Sequence, residues 1–220
     1  MTIPAIASYP MPSAADQPDN RVDWQVEPDR AVLLIHDMQE YFLNKFDRSQ
    51  APIPALIENI AALRAIADRA GIPVVYTAQP TDQPDGDRAL LNDFWGPGLP
   101  AAPEQAPVVD RLAPSAKDTV LTKWRYSAFQ RSPLRDMMRE QGRDQLIVTG
   151  VYAHIGCLAS ALEAFMQDVQ PFFVLDALAD FSLEEHLMAT SYVAKRCGVT
   201  QTRATITNAL THHATSETEA

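Results

Sequence analysis

Cysteine is scarce: Cys157 and Cys197 are the only two in 220 residues. That is too few for a disulfide scaffold and makes a reducing, cytoplasmic setting the simpler expectation. Basic residues are outnumbered, 18 Lys and Arg against 28 Asp and Glu, for a formal net charge of −10. So acidic a chain repels nucleic acid and anionic membranes, which excludes a broad phosphate-binding footprint. No apolar stretch approaches the ~18 residues of a membrane span. Met1 to Trp24 shows no basic flank leading into an apolar run, so neither a signal peptide nor an anchor is expected. Glycine-rich phosphate loops, HExxH and paired CxxC patterns are also missing. What is present, 46% hydrophobic and 21% charged residues, is globular composition, and the length suits one core.

Five prolines between Pro4 and Pro28 favour an extended arm over residues 1–28, because each fixes φ and has no N–H. Short apolar runs then recur: Ala31–His36, Pro73–Ala78, Thr119–Thr122, Leu146–Thr149 and Pro171–Leu175 read as strands, with a β-branched stretch from Val199 to Ile206 as a sixth. Helical patterns lie between them. One runs from Pro54 to Ala70, a second starts at Ser132-Pro133, a third spans Ile155 to Asp168, and a fourth opens at Ser182-Leu-Glu-Glu185 as a capping box. Gln79 to Ser115 is a long irregular stretch, which in a compact domain is functional or hides short elements. The tail, 211–220, is small, polar and expected to be loose. Strands alternating with helices require crossovers, so the expectation is one doubly wound α/β domain over 1–220, with a mostly parallel six-stranded sheet and helices on both faces.

Ligands of such sheets bind beyond the carboxyl ends of the strands. Those ends carry His36-Asp37, Thr77-Ala-Gln79, Lys123-Trp-Arg125, Gly150-Val-Tyr-Ala-His154 and Asp176. A lone aspartate there is as often a helix cap as a catalytic group. An acid and a lysine on non-adjacent strand ends point to a site. The histidines do not suggest a metal centre. His36 and Asp37 are consecutive on a strand and expected on opposite faces; His154 and His186 have no neighbours at ligand spacing; His212 and His213 fall in the tail. Asp176 and Asp180 are read as structural.

Ala31-Val-Leu-Leu-Ile-His-Asp-Met-Gln39, Tyr76-Thr-Ala-Gln-Pro80, Arg88-Ala-Leu-Leu-Asn-Asp-Phe-Trp-Gly-Pro-Gly98, Lys123-Trp-Arg-Tyr-Ser-Ala-Phe129, Gly150-Val-Tyr-Ala-His-Ile-Gly-Cys157 and Asp176-Ala-Leu-Ala-Asp-Phe181 resemble the isochorismatases of catecholate siderophore biosynthesis. The likeness runs from about Ile3 to Ile206 and is shared with the phenazine-pathway enzyme that cleaves 2-amino-2-deoxyisochorismate. It implies hydrolysis of the enolpyruvyl ether of isochorismate to pyruvate and 2,3-dihydro-2,3-dihydroxybenzoate, with no cofactor. A vinyl ether becomes electrophilic only when its methylene carbon is protonated, so a positioned general acid is the essential part.

By the resemblance Asp37 holds the acid position, with Lys123 as its catalytic partner. Arg88 and Lys123 take the positions that contact substrate carboxylates. Gln79 and the Tyr152 phenol are expected to add hydrogen bonds, and Phe42 and Trp95 to wall the ring. A Lys123 ammonium favours the carboxylate form of Asp37; the dianionic substrate and the exclusion of water are expected to tip the balance back to the acid. The nucleophile slot of the related cysteine amidases falls on Gly156, expected to leave room for substrate or water, while Cys157, rotated by ~100°, is expected to pack inward. The Val151–Tyr152 bond is expected to be cis, and no metal is implied.

The expected partner is a small dicarboxylate, with neither nucleic acid nor membrane. Relatives also suggest a homodimer, with the proline-rich arm available to pack on a neighbour; no carrier domain is read in this chain, so the expectation is either a separate aryl carrier protein or none. A non-catalytic binding module and a cysteine amidase are the readings from other classes.

Overall fold

A computed structural model describes residues 3–216. Six strands, β1 (Ala31–His36), β2 (Val74–Ala78), β3 (Thr119–Thr122), β4 (Gln145–Val151), β5 (Gln170–Ala179) and β6 (Val199–Gln201), form one sheet. Around it run α1 (Glu40–Leu43), α2 (Ile53–Arg69), α3 (Asp85–Arg88), α4 (Leu91–Trp95), α5 (Leu134–Glu140), α6 (Leu158–Met166), α7 (Leu183–Arg196) and α8 (Arg203–Ser216). The strand order is β3-β2-β1-β4-β5-β6 and every pair is parallel.

The strands are apolar on both sides because both faces are covered. Leu33, Ile35, Ile147, Phe172 and Val174 share a core with Leu56, Ile60 and Leu63 of α2 and with Ile206 and Leu210 of α8. Val32, Leu34, Leu146, Val148 and Phe173 point the other way, into a second core with residues of α5, α6 and α7. Truncating a fully buried leucine such as Leu56 to alanine costs about 2–5 kcal/mol.

From β1 the chain winds outward to β2 and β3, then returns to β4 on the other side. The crevice where the order reverses, at the carboxyl ends of β1 and β4, is where such sheets hold ligands.

Two boundaries differ from expectation. The sixth strand stops at Gln201 and α8 begins at Arg203. Thr202 Oγ1 accepts the Thr205 N–H at 3.3 Å and Asp176 Oδ1 accepts the Arg203 N–H at 2.6 Å. These caps, with Ile206 and Leu210 buried one turn apart, override the β preference of the branched residues. The helix continues through 211–216, which were expected to be loose, and the rest of that tail, 217–220, lies outside the described residues. The irregular stretch from 79 contains α3, α4 and three 3₁₀ turns. The arm lies back along its own chain: Ile3, Ile6 and Tyr9 are buried, and Ile6 bridges Phe46 in parallel. Ser182 caps α7 by accepting the Glu185 N–H at 3.2 Å.

Candidate active site

The cavity at the β1–β4 crevice holds roughly 480 Å³ of space, counted with its open mouth. Asp37, Phe42, Gln79, Arg88, Trp95, Lys123, Tyr152 and Gly156 all line it, so the fold brings together the residues expected to act on or bind substrate. Asp37 follows β1, Gln79 follows β2 and Lys123 follows β3, while Tyr152 and Gly156 come from the turn after β4.

Asp37 is buried and sits at φ +51°, a left-handed conformation that aspartate tolerates better than most residues. It therefore departs from strand geometry, and the alternation expected for His36 and Asp37 fails there: His36 Nδ1 lies 3.7 Å from Asp37 Oδ2. The carboxylate is held on both oxygens. Thr77 Oγ1 donates to Oδ1 at 2.6 Å and itself accepts the Asp37 N–H at 3.1 Å. Lys123 Nζ donates to Oδ2, and both side chains of this ion pair are almost wholly buried.

Arg88 is 3% exposed and faces no carboxylate among the described residues. Its Nε donates to the Gly96 carbonyl at 2.6 Å and Nη1 to Gln83 Oε1 at 3.2 Å, with Gln79 Oε1 at 3.5 Å. Burial lowers its proton affinity, partly offset by the phenols of Tyr41 and Tyr126, yet a guanidinium stays charged. Two cations against one acid give the cavity a local positive excess inside an acidic protein. Gln39, buried beside it, accepts the Gln79 N–H at 2.7 Å and donates back to the Gln79 carbonyl at 3.1 Å, fixing that loop.

The walls are aromatic. Tyr152 packs on Phe181 at 4.7 Å and on Phe42 at 6.0 Å between centroids. Its phenol donates to the Phe42 carbonyl of α1 at 2.9 Å. Burial raises its pKa well above the ordinary value, so it stays protonated. Trp95 Nε1 donates to Tyr126 Oη at 2.8 Å across the mouth. The Val151–Tyr152 bond is cis.

Gly156 requires a correction. It lines the cavity, but a Cβ there would stand 2.2 Å from His36 Cε1, so its side-chain space is filled by an imidazole and is not open to substrate or water. Cys157 is fully buried among Val148, Ala161 and Phe173, and burial raises its thiol pKa well above the usual value.

The cavity includes residues to which the sequence reading gave no role: Tyr41, Tyr126, Ile155, Phe181, and Ile3 of the arm. Tyr126 lies inside the Lys123–Phe129 motif, and Thr77 stands one residue before the end of β2. A polar residue near the end of an apolar strand was the available signal. His154 also departs from expectation, since the turn between β5 and α7 brings partners to it. Asp180 accepts from its Nδ1 at 2.5 Å, and Glu185 lies 3.9 Å from its Nε2. Burial opposes protonation of His154, but the two acids outweigh it and raise its pKa. Among the described residues, these three are the group whose ligand atoms lie close enough to share a metal ion. The Asp180 oxygens already accept from the N–H groups of His154 and Phe181, which makes the cluster an ion-paired cap.

The sequence profile of the Isochorismatase domain matches residues 31–205. The chain is similar to Enterobactin synthase component B of Escherichia coli (strain K12), 60% identical over 198 residues that cover 90% of this chain and 70% of that protein. It is similar to the Isochorismatase of Bacillus subtilis (strain 168), 58% identical over 200 residues covering 91% and 64%. It is also similar to Phenazine biosynthesis protein PhzD of Pseudomonas fluorescens, 49% identical over 202 residues covering 90% and 94%.

Proposed function

The chain belongs to the isochorismatase family, a family of hydrolases, and on that premise we propose that it cleaves the enolpyruvyl ether of isochorismate with Asp37 as the general acid. The observation that carries this reading is the buried Asp37–Lys123 pair in a cavity that also holds Arg88 without a carboxylate partner among the described residues.

Substrate enters as a dianion. Arg88 grips one carboxylate, bidentate geometry being the strength of a guanidinium, and Lys123 attracts negative charge towards Asp37. Phe42, Trp95, Tyr152 and Phe181 exclude water from the ring. The added negative charge and the loss of solvent favour the acid form of Asp37, which protonates the terminal methylene carbon. The resulting oxocarbenium ion takes up water at the former enol carbon. That water returns one proton to Asp37, and its other proton passes to the ring oxygen as the hemiketal collapses, releasing pyruvate. General acid catalysis of this kind contributes typically 10²–10⁴-fold. No covalent nucleophile is required.

A second reading shares the same bond cleavage, with 2-amino-2-deoxyisochorismate as substrate. The likeness to the phenazine protein, which extends over 94% of that protein's length, favours keeping it. Pairing of two copies and docking of a separate aryl carrier chain belong to this proposal as well. No helix among the described residues is long and apolar enough to cross a membrane.

The test is to mix the protein with isochorismate and, separately, with its 2-amino analogue, following pyruvate through coupled lactate dehydrogenase. Release from isochorismate with the higher kcat/KM is the expected result. A higher kcat/KM for the analogue selects the second reading, and no pyruvate from either overturns both.

A further inference from the structure

His36 is wholly buried and does not line the cavity, yet its ring touches three of the segments that build it. Nδ1 lies 2.8 Å from the Val151 carbonyl at the end of β4, and Nε2 lies 3.2 Å from the Tyr126 carbonyl, three residues beyond Lys123. Cε1 occupies the space a side chain at 156 would need, 2.2 Å from the position of such a Cβ. Asp37 is its immediate chain neighbour. We propose that His36 is a positioning residue, a wedge that sets the Asp37 carboxylate against Lys123 and closes position 156 to every side chain.

The chemistry suits the role. Burial pushes the imidazole pKa down to about 4, against the attraction of Asp37, so the ring is neutral. A neutral imidazole has one N–H. The shorter approach, to Val151, takes it, and the longer approach to Tyr126 is a packing contact. An uncharged ring at 3.7 Å adds no further cation beside the Asp37 carboxylate. With glycine at 156, that position offers no side chain to compete with water for the activated carbon.

This inference rests on the proposed reaction, so its test has one arm that reads activity and one that does not. In the activity arm, kcat for His36→Asn falls on the order of 100-fold, the usual cost of a misplaced catalytic group, while KM stays within about threefold. His36→Ala, which gives up the donor to Val151 as well, falls further. Leu134→Ala, a core cavity in α5, changes neither constant below its melting temperature. In the second arm, Gly156→Ala lowers the melting temperature, and His36→Ala/Gly156→Ala recovers part of that loss because the wedge is gone. Unchanged kcat in a folded His36→Asn overturns the positioning role, and strictly additive melting shifts overturn the wedge. If the native chain releases no pyruvate, the proposed reaction has failed, and the melting arm still decides the steric claim.

Discussion

The Cβ that Gly98 does not have would stand 2.5 Å from the guanidinium carbon of Arg88. The backbone of Gly98, at φ +66°, is thus the bed on which the buried cation lies. Gly98→Ala must displace the guanidinium and strain its own backbone. Both Gly98→Ala and Arg88→Ala are expected to raise KM for isochorismate at least tenfold, since a hydrogen bond to a charged group contributes about 1.5–3 kcal/mol. Initial rates over a substrate series check this, and unchanged KM in both variants returns Arg88 to a packing role.

Thr77 is the second hold on Asp37. Its hydroxyl satisfies the Asp37 N–H and donates to the carboxylate, and Thr77→Val keeps the shape while leaving the N–H and Oδ1 without that partner. Removing such a buried partner costs about 1–3 kcal/mol of stability. A loss of kcat of roughly tenfold is expected with it. Urea denaturation and steady-state kinetics on the same preparation separate the two effects.

Fold class was legible because the strands are continuous apolar runs, which parallel sheets covered on both faces require. The acid and the lysine were legible because strand ends in such a sheet meet at the switch point. What was hidden depended on single dihedrals and contacts distant in sequence. One left-handed residue, Asp37, breaks the period of two and swings its carboxylate towards His36. The space beside Gly156 looks empty in a sequence and is filled by a ring 120 positions earlier. The Tyr152 phenol gives its hydrogen to the carbonyl of Phe42, and the caps on α8 outweigh the β-branched residues of its first turn.

Stability should depend on pH with opposing contributions. Burial holds His36 and His186 neutral down to about pH 4, whereas both take up protons near 6.5 when unfolded. Between those values the unfolded chain binds more protons, so stability falls as pH drops from about 6.5 to about 4. His154 works the other way. Its raised pKa adds stability that is fully present below about 6.5 and is lost as pH rises through its folded value. His186→Gln is expected to flatten the acid-side fall, and His154→Gln to cost more stability at pH 6 than at pH 9. Urea midpoints across that range give both slopes.

Cys157, buried and with a raised thiol pKa, is expected to be inert. Iodoacetamide on the native protein leaves pyruvate release unchanged over an hour, and Cys157→Ala retains kcat within about threefold while losing some stability. Inactivation that substrate protects against, and that Cys157→Ala abolishes, contradicts the non-covalent reading.

The proton from Asp37 is tested most directly by Asp37→Asn, which keeps the side chain's size and cannot supply the hydrogen. Pyruvate release and substrate affinity are measured on the same folded preparation. The expected result is a kcat lower by about 10²–10⁴-fold with the dissociation constant for isochorismate within about threefold of the native value. Turnover near the native rate contradicts the assignment of Asp37 as the acid.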